Sequence, residues 1–152
     1  LMPVNMYILF ARMFAHIARE VENSCGENGI KAVREGVRKF GEERGRNIAE
    51  RAISMGHEAT PEYYLSCYDM ARSDYFRSED TVGKEVVEQT FTKCIFAEQW
   101  IRDGNERYGT HYCQLIDPSI AKGFCENFEC IHDKHFFKDG YCHFLFRKKE
   151  KE

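Results

Sequence analysis

No C-x-x-C pair occurs in this chain of 152 residues, although it holds seven cysteines. The closest two, Cys125 and Cys130, are five apart, a spacing that argues against a zinc ribbon or finger. Also missing is any apolar run near the ~20 residues that cross a bilayer. The longest candidate, Met6 to Phe10, is stopped by Arg12, and no segment reads as a signal peptide. Charge of one sign is not in surplus either. A net charge of -3 and a pI near 6.1 give no electrostatic case for nucleic acid, and the basic tail Arg147-Lys148-Lys149 is offset by Glu150 and Glu152. The G-x-S-x-G, P-loop, Rossmann and H-E-x-x-H signatures are all absent. These absences predict a cytoplasmic protein with free thiols and neither a membrane nor a nucleic acid as partner.

What is there fits one globular domain. The chain is 43% hydrophobic and 31% charged, and its length suffices to bury roughly two thirds of the unfolded surface. Twelve Phe, eight Tyr and one Trp are more aromatics than such a core needs, which points to a pocket wall.

The first half reads as helix. Apolar residues recur with helical spacing at Leu9, Phe10, Met13, Phe14, Ile17 and Val21, and the cluster Gly26-Glu27-Asn28-Gly29 breaks the pattern. A second helix is expected from about Ile30 to Met55, burying Val33, Val37, Phe40, Ile48 and Ile53, with Glu42 and Arg46 paired on its wet side. Gly41, Gly45 and Ala49 recur every four residues along it. Glycine inside a helix costs about 1 kcal/mol, so the stripe implies a closely packed neighbouring helix or, alternatively, ligand access near Arg44 or Arg46. Thr60-Pro61-Glu62 opens a third helix that fades near Arg72, and a polar connector from Ser73 to Gly83 follows.

The second half mixes element types. Val86 to Thr92 is β-branched and reads as a strand; Ile95 to Tyr108 is helical and weakened by Gly104; Tyr112 to Ala121 is a short helix interrupted or restarted at Asp117-Pro118. Asn127 to His132 and Tyr141 to Arg147 form an expected terminal hairpin across Lys138-Asp139-Gly140, with Cys142, Phe144 and Phe146 on its buried face. The fold class is therefore α+β, with N-terminal helices followed by an antiparallel sheet with interspersed short helices, as a single domain over 1–152.

Five residues stand out as catalytic candidates. Cys94 lies where a strand hands over to a helix, and unpaired N–H groups there would lower a thiol's pKa, though a buried structural Cys is equally in keeping with the pattern. Cys113 and Asp117 are four apart and share a face if the helix is continuous, whereas an N-cap role is the competing reading of Asp117. Cys142 is on the inward face of the last strand. Of the histidines crowding the last third, most read as surface residues, and only His111 is carried forward as an acid or base. Arg44, Arg46 and Tyr112 are the substrate-binding candidates.

Two blocks resemble the L-2-amino-thiazoline-4-carboxylic acid hydrolase-like family. One is the helix from Glu27-Asn28-Gly29-Ile30 through Glu50-Arg51-Ala52; the other joins Thr92-Lys93-Cys94, Tyr108-Gly109-Thr110-His111-Tyr112-Cys113 to Asp117, and Gly140-Tyr141-Cys142-His143-Phe144. Where the family commonly follows its first Cys with Pro and an aromatic, this chain has Ile95-Phe96. The aromatic is kept and the Pro is not, which puts the substrate or the local turn in question. The resemblance implies hydrolytic opening of a cyclic isothiourea to an N-carbamoyl amino acid, with Cys94, Cys113, Asp117 and Cys142 at the motif positions. A small-molecule substrate is the expected partner. A divalent metal held by Cys and Asp, and a homodimer, are left open. The alternative is a small-molecule-binding regulatory domain of the 4-vinyl-reductase type, and a third reading is a metal site of Cys94, Cys113 and Cys142.

Overall fold

A computed structural model describes residues 2–150. Its first element, α1 (Met6–Ser54), starts where the Asn5 side chain accepts the Tyr7 N–H at 2.8 Å. The expected break is concentrated at Gly26, where φ 60 and ψ -142 leave the helical region. The carbonyl oxygen of Val21 lies 2.6 Å from where a Cβ on Gly29 would sit. Residues eight apart in a straight helix are separated by ~12 Å, so the chain turns a sharp corner here.

The two arms of α1 bury faces that the spacing does not predict. Along the first arm Ala11, Ala15 and Ala18 are fully buried, while Met13 and Ile17 are 63% and 53% exposed. On the second arm Val37 and Ile48 are buried as expected, but Phe40 and Ile53 are exposed. The reason is the glycine stripe. A Cβ at Gly41 would sit 2.5 Å from Ser119 Cβ, and one at Gly45 would sit 2.1 Å from the Ile120 carbonyl oxygen. The stripe therefore admits α5 (Ile116–Phe124) backbone against backbone, and that contact sets the helix rotation. Glu42 pairs with Arg38 at 2.7 Å and Lys122 at 3.2 Å, not with Arg46.

Pro61 opens a helix as expected, but α2 (Pro61–Tyr64) is one turn long and Thr60 makes no side-chain cap. Tyr64 ends it by entering a cluster with Phe124, Phe128 and Phe146, at centroid distances of 5.0, 5.3 and 5.1 Å. The stretch expected as a connector contains strand β1 (Phe76–Val82). It pairs antiparallel with β2 (Val86–Cys94), which pairs with β4 (Cys142–Lys148), which pairs with β3 (Phe128–Lys134), giving the order β1-β2-β4-β3. The β3–β4 hairpin encloses a single turn of helix, α6 (Phe136–Asp139), closed by left-handed Gly140.

Between β2 and β3 run α3 (Ile95–Arg102), α4 (Glu106–Cys113) and α5. The single helix expected from Ile95 to Tyr108 is two, because Gly104 at φ 69 leaves the helical region and separates α3 from α4. Trp100 anchors this layer: fully buried, it donates from Nε1 to the Ala11 carbonyl at 2.8 Å. The inward face of β4 is Cys142, Phe144 and Phe146, all buried, as the alternation required. All seven cysteines are free.

Candidate functional site

The space between the inner face of the sheet and the helices is not filled. A cavity of about 760 Å³ remains there, walled mostly by apolar side chains including Phe76, Phe91, Phe96 and Phe144. Strand register explains the assembly. Phe91 of β2 pairs with Cys142 of β4, Gln89 with Phe144, and Phe76 of β1 with Cys94. Residues far apart in sequence thus reach one wall.

Cys94, Cys113, Asp117, Cys142, Arg44 and Tyr112 all line this cavity. Two of the sequence candidates do not. Arg46 is exposed on the far side of α1, and His111 sits outside the cavity with its Nδ1 3.1 Å from Arg34 Nη1. Cys113 and Asp117 also differ from expectation in how they are held. They are not on one helix: Cys113 is the last residue of α4 and Asp117 lies in the first turn of α5, with Leu115 as the cap. Asp117 is therefore free of capping duty, and its carboxyl faces the cavity.

Electrostatics sort these groups. Burial pushes the Asp117 pKa up to about 6, against a partial counter-pull from Arg44. Among the described residues Asp117 has no ion-pair partner, because Arg44 is engaged by Asp69 through Nε–Oδ2 at 2.8 Å and Nη2–Oδ1 at 2.7 Å. A carboxyl with that pKa is mostly ionised at neutral pH and readily takes and returns a proton.

The thiols go the other way. Cys94 caps the start of α3, and the N–H groups of Phe96 and Ala97 do favour its thiolate, but burial wins and lifts it to about 11. The expected lowering at the helix start is thus outweighed. Burial lifts Cys142 to about 12 and raises Cys113 strongly, with Cys94 beside both and Cys142 beside Cys113 adding to the rise. Near neutral pH the three form a neutral cluster.

His132 is a cavity residue that the sequence reading passed over. Both ring nitrogens are enclosed without a hydrogen-bond partner, and the ring lies tilted against His135 and Phe144 at centroid distances of 3.6 and 4.1 Å. Burial, with His135 beside it, pushes its pKa down to about 4. The strand alternation Phe128, Cys130, His132 was the available signal. His143 points outward as expected, bonded to Asp133 at 2.6 Å and Glu88 at 2.8 Å. Among the described residues no three His, Cys, Asp or Glu side chains are placed to hold a metal ion, so the reading of Cys94, Cys113 and Cys142 as a metal site finds no support in their geometry.

The α+β domain thus holds a half-open, aromatic-walled cavity, with Asp117, Glu79 and Asp80 as the carboxylates on its wall. Residues 6–146 match the L-2-amino-thiazoline-4-carboxylic acid hydrolase family, and the chain belongs to it. No curated protein matches the chain. Its fold is similar to that of a trafficking protein particle complex subunit 3 from Naegleria fowleri, in a crystal structure where that protein is covalently bound to palmitic acid. The TM-score is 0.54 and the identity 14%, over 96% of this chain and 98% of that one, a likeness of fold alone.

Proposed function

We propose that the chain hydrolyses a cyclic isothiourea of the 2-amino-thiazoline-4-carboxylate kind, with Asp117 as its proton-transfer group. The observation that carries this reading is the Asp117 carboxyl, unpaired, facing the cavity and raised to about 6. As carboxylate it takes a proton from water. The water oxygen bonds to the ring carbon held between two nitrogens and the sulfur. The C–S bond then breaks, its electron pair goes to sulfur, and Asp117 returns the proton there. The second proton of the water passes to the ring nitrogen as the carbonyl forms, giving an N-carbamoyl amino acid with a free thiol. Arg44, oriented by its pair with Asp69 and lining the cavity, is the cation assigned to the substrate carboxylate, through the donor capacity that pair leaves over. Cys94, Cys113 and Cys142, held neutral, line the pocket and are not nucleophiles in this scheme.

The test is release of a new thiol from 2-amino-thiazoline-4-carboxylate by wild type and by Asp117→Asn. Turnover that vanishes in the variant, with melting no lower than wild type, supports the assignment; retained turnover removes it.

A second reading is favoured by the aromatic wall: a domain that binds an apolar small molecule without turning it over, the palmitic acid of the structurally similar subunit being that kind of occupant. In that reading the exposed stripe Met6, Leu9, Met13 and Ile17 is the face for a second copy of the chain, and sedimentation of purified protein tests it. Ligand binding with no turnover in the wild type would move the assignment here. Cytoplasmic location remains part of the proposal; no helix among the described residues is long and apolar enough to cross a membrane.

A further inference from the structure

We infer that the ligand of this cavity is an amphiphile, a compact isothiourea head carrying an apolar extension of about ten to twelve carbons. This rests on the cavity being the ligand site and specifies what that site takes. Size is the first argument. A cavity of ~150 Å³ is enough for benzene, and this one, at about 760 Å³, is about five times larger. A bare five-membered ring would leave most of it unoccupied.

Length is the second. Cys94 and Gln89 both line the cavity and belong to the same strand, five residues apart. At ~3.3 Å per residue they are ~16 Å apart. Three single-chain bonds span ~3.8 Å, so about a dozen bonds of an extended chain cover that distance.

The distribution of polar groups is the third. Asp117 and Arg44 lie at the thiol end. At the other end Gln89 donates to Asp80 at 3.0 Å and Asp80 is paired with Arg72 at 2.6 Å, so those groups satisfy one another, and the polar side chain left over at that level is His132, two strands away and covered by Phe144. Rings run from one end to the other: Phe76 pairs with Cys94 and Phe96 follows it at the thiol end, Phe91 lies midway along β2, and Phe144 pairs with Gln89 at the other end. Phe76 meets Phe96 edge-on at 5.2 Å and Phe91 meets Phe144 edge-on at 5.7 Å. The head therefore sits at Asp117 and the extension lies along the rings toward Gln89 and Arg72.

The experiment uses S-alkylisothioureas of two to fourteen carbons, each kept below its micelle concentration, titrated into the full chain by calorimetry. Affinity should rise about threefold to fourfold per added methylene and level off at ten to twelve carbons. A two-carbon probe that binds as tightly as the twelve-carbon one would overturn the inference. Ser78→Phe, which intrudes on the cavity from β1, should weaken the twelve-carbon probe at least tenfold and leave the four-carbon probe unchanged; equal effects on both would also count against it. Alkanethiol release from the same probes reads the hydrolase proposal separately. Release without chain-length dependence would sink this inference alone, and chain-length dependence without release would sink hydrolysis alone.

Discussion

Arg44 and Gly45 are neighbours on α1, yet one borders a cavity of about 760 Å³ and the other a contact with no free space. On the Gly45 side two helix backbones touch, and Gly123 of α5 returns the contact: a Cβ there would lie 2.1 Å from the Glu42 carbonyl oxygen. On the Arg44 side polar and sulfur-bearing groups face empty volume. Helix packing is thus made rigid one residue away from a region kept open. The difference separates what this fold needs to exist from what it needs to act, and variants on the two sides should fail in different ways.

The largest effect belongs to the closed side. Gly45→Val places atoms on backbone that cannot yield, so it should destabilise by ~3 kcal/mol or more, read by chemical denaturation. A loss under ~1 kcal/mol would show that the helices slide apart easily and that the rigid half of the comparison is wrong.

Next is Asp117→Asn on the open side, expected to lower turnover by ~10²-fold or more, the usual worth of a positioned acid–base group. Stability should move in the opposite sense. The folded pKa, about 6, exceeds the ordinary 3.8, so the folded state holds its proton more tightly than the unfolded one. Wild-type stability is then highest below pH ~4, falls as pH rises through 6, and is flat above; the shift is worth on the order of 2–3 kcal/mol. Asn removes that dependence and should stabilise the protein at pH 8 but not at pH 4. Equal melting of both proteins at pH 8 would mean the carboxyl is solvated.

How much of this was legible in sequence follows the same divide. The last strand was readable because Cys142, Phe144 and Phe146 alternate cleanly toward a packed interior. The glycine stripe was readable because glycine inside a helix has few reasons to be there. Strand β1 was hidden because its inward positions Ser78 and Asp80 face the cavity, so the alternation carries polar residues and reads as a connector. His132 was hidden for the same reason, an imidazole where a core strand would show an aliphatic side chain. The first arm of α1 misled in the other direction: its large residues, Met13 and Ile17, are exposed, and its buried face is alanine. Cys94, Cys113, Asp117 and Cys142 were placed in one cavity as their motif positions implied, while His111 and Arg46, chosen by type and proximity in sequence, lie outside it.

Smaller effects refine the open side. Cys94→Ala should keep turnover within about tenfold of wild type, since a neutral thiol only lines the site; a loss of the ~10⁴-fold or more expected of a nucleophile would restore that role. In alkylation at pH 8, exposed Cys25 should react first and fully buried Cys67 last. His143→Gln, on the outer face of the sheet, should leave turnover unchanged and alter melting only slightly.

The most direct test of the central claim is the pH dependence of kcat/KM for thiol release between pH 4.5 and 10. If Asp117 transfers the proton, activity rises through a single transition near pH 6 and is flat above pH 7. If a cavity thiolate attacks instead, with Cys94 at about 11 and Cys142 at about 12, activity climbs about tenfold per pH unit through the whole alkaline range, and the assignment to Asp117 is wrong.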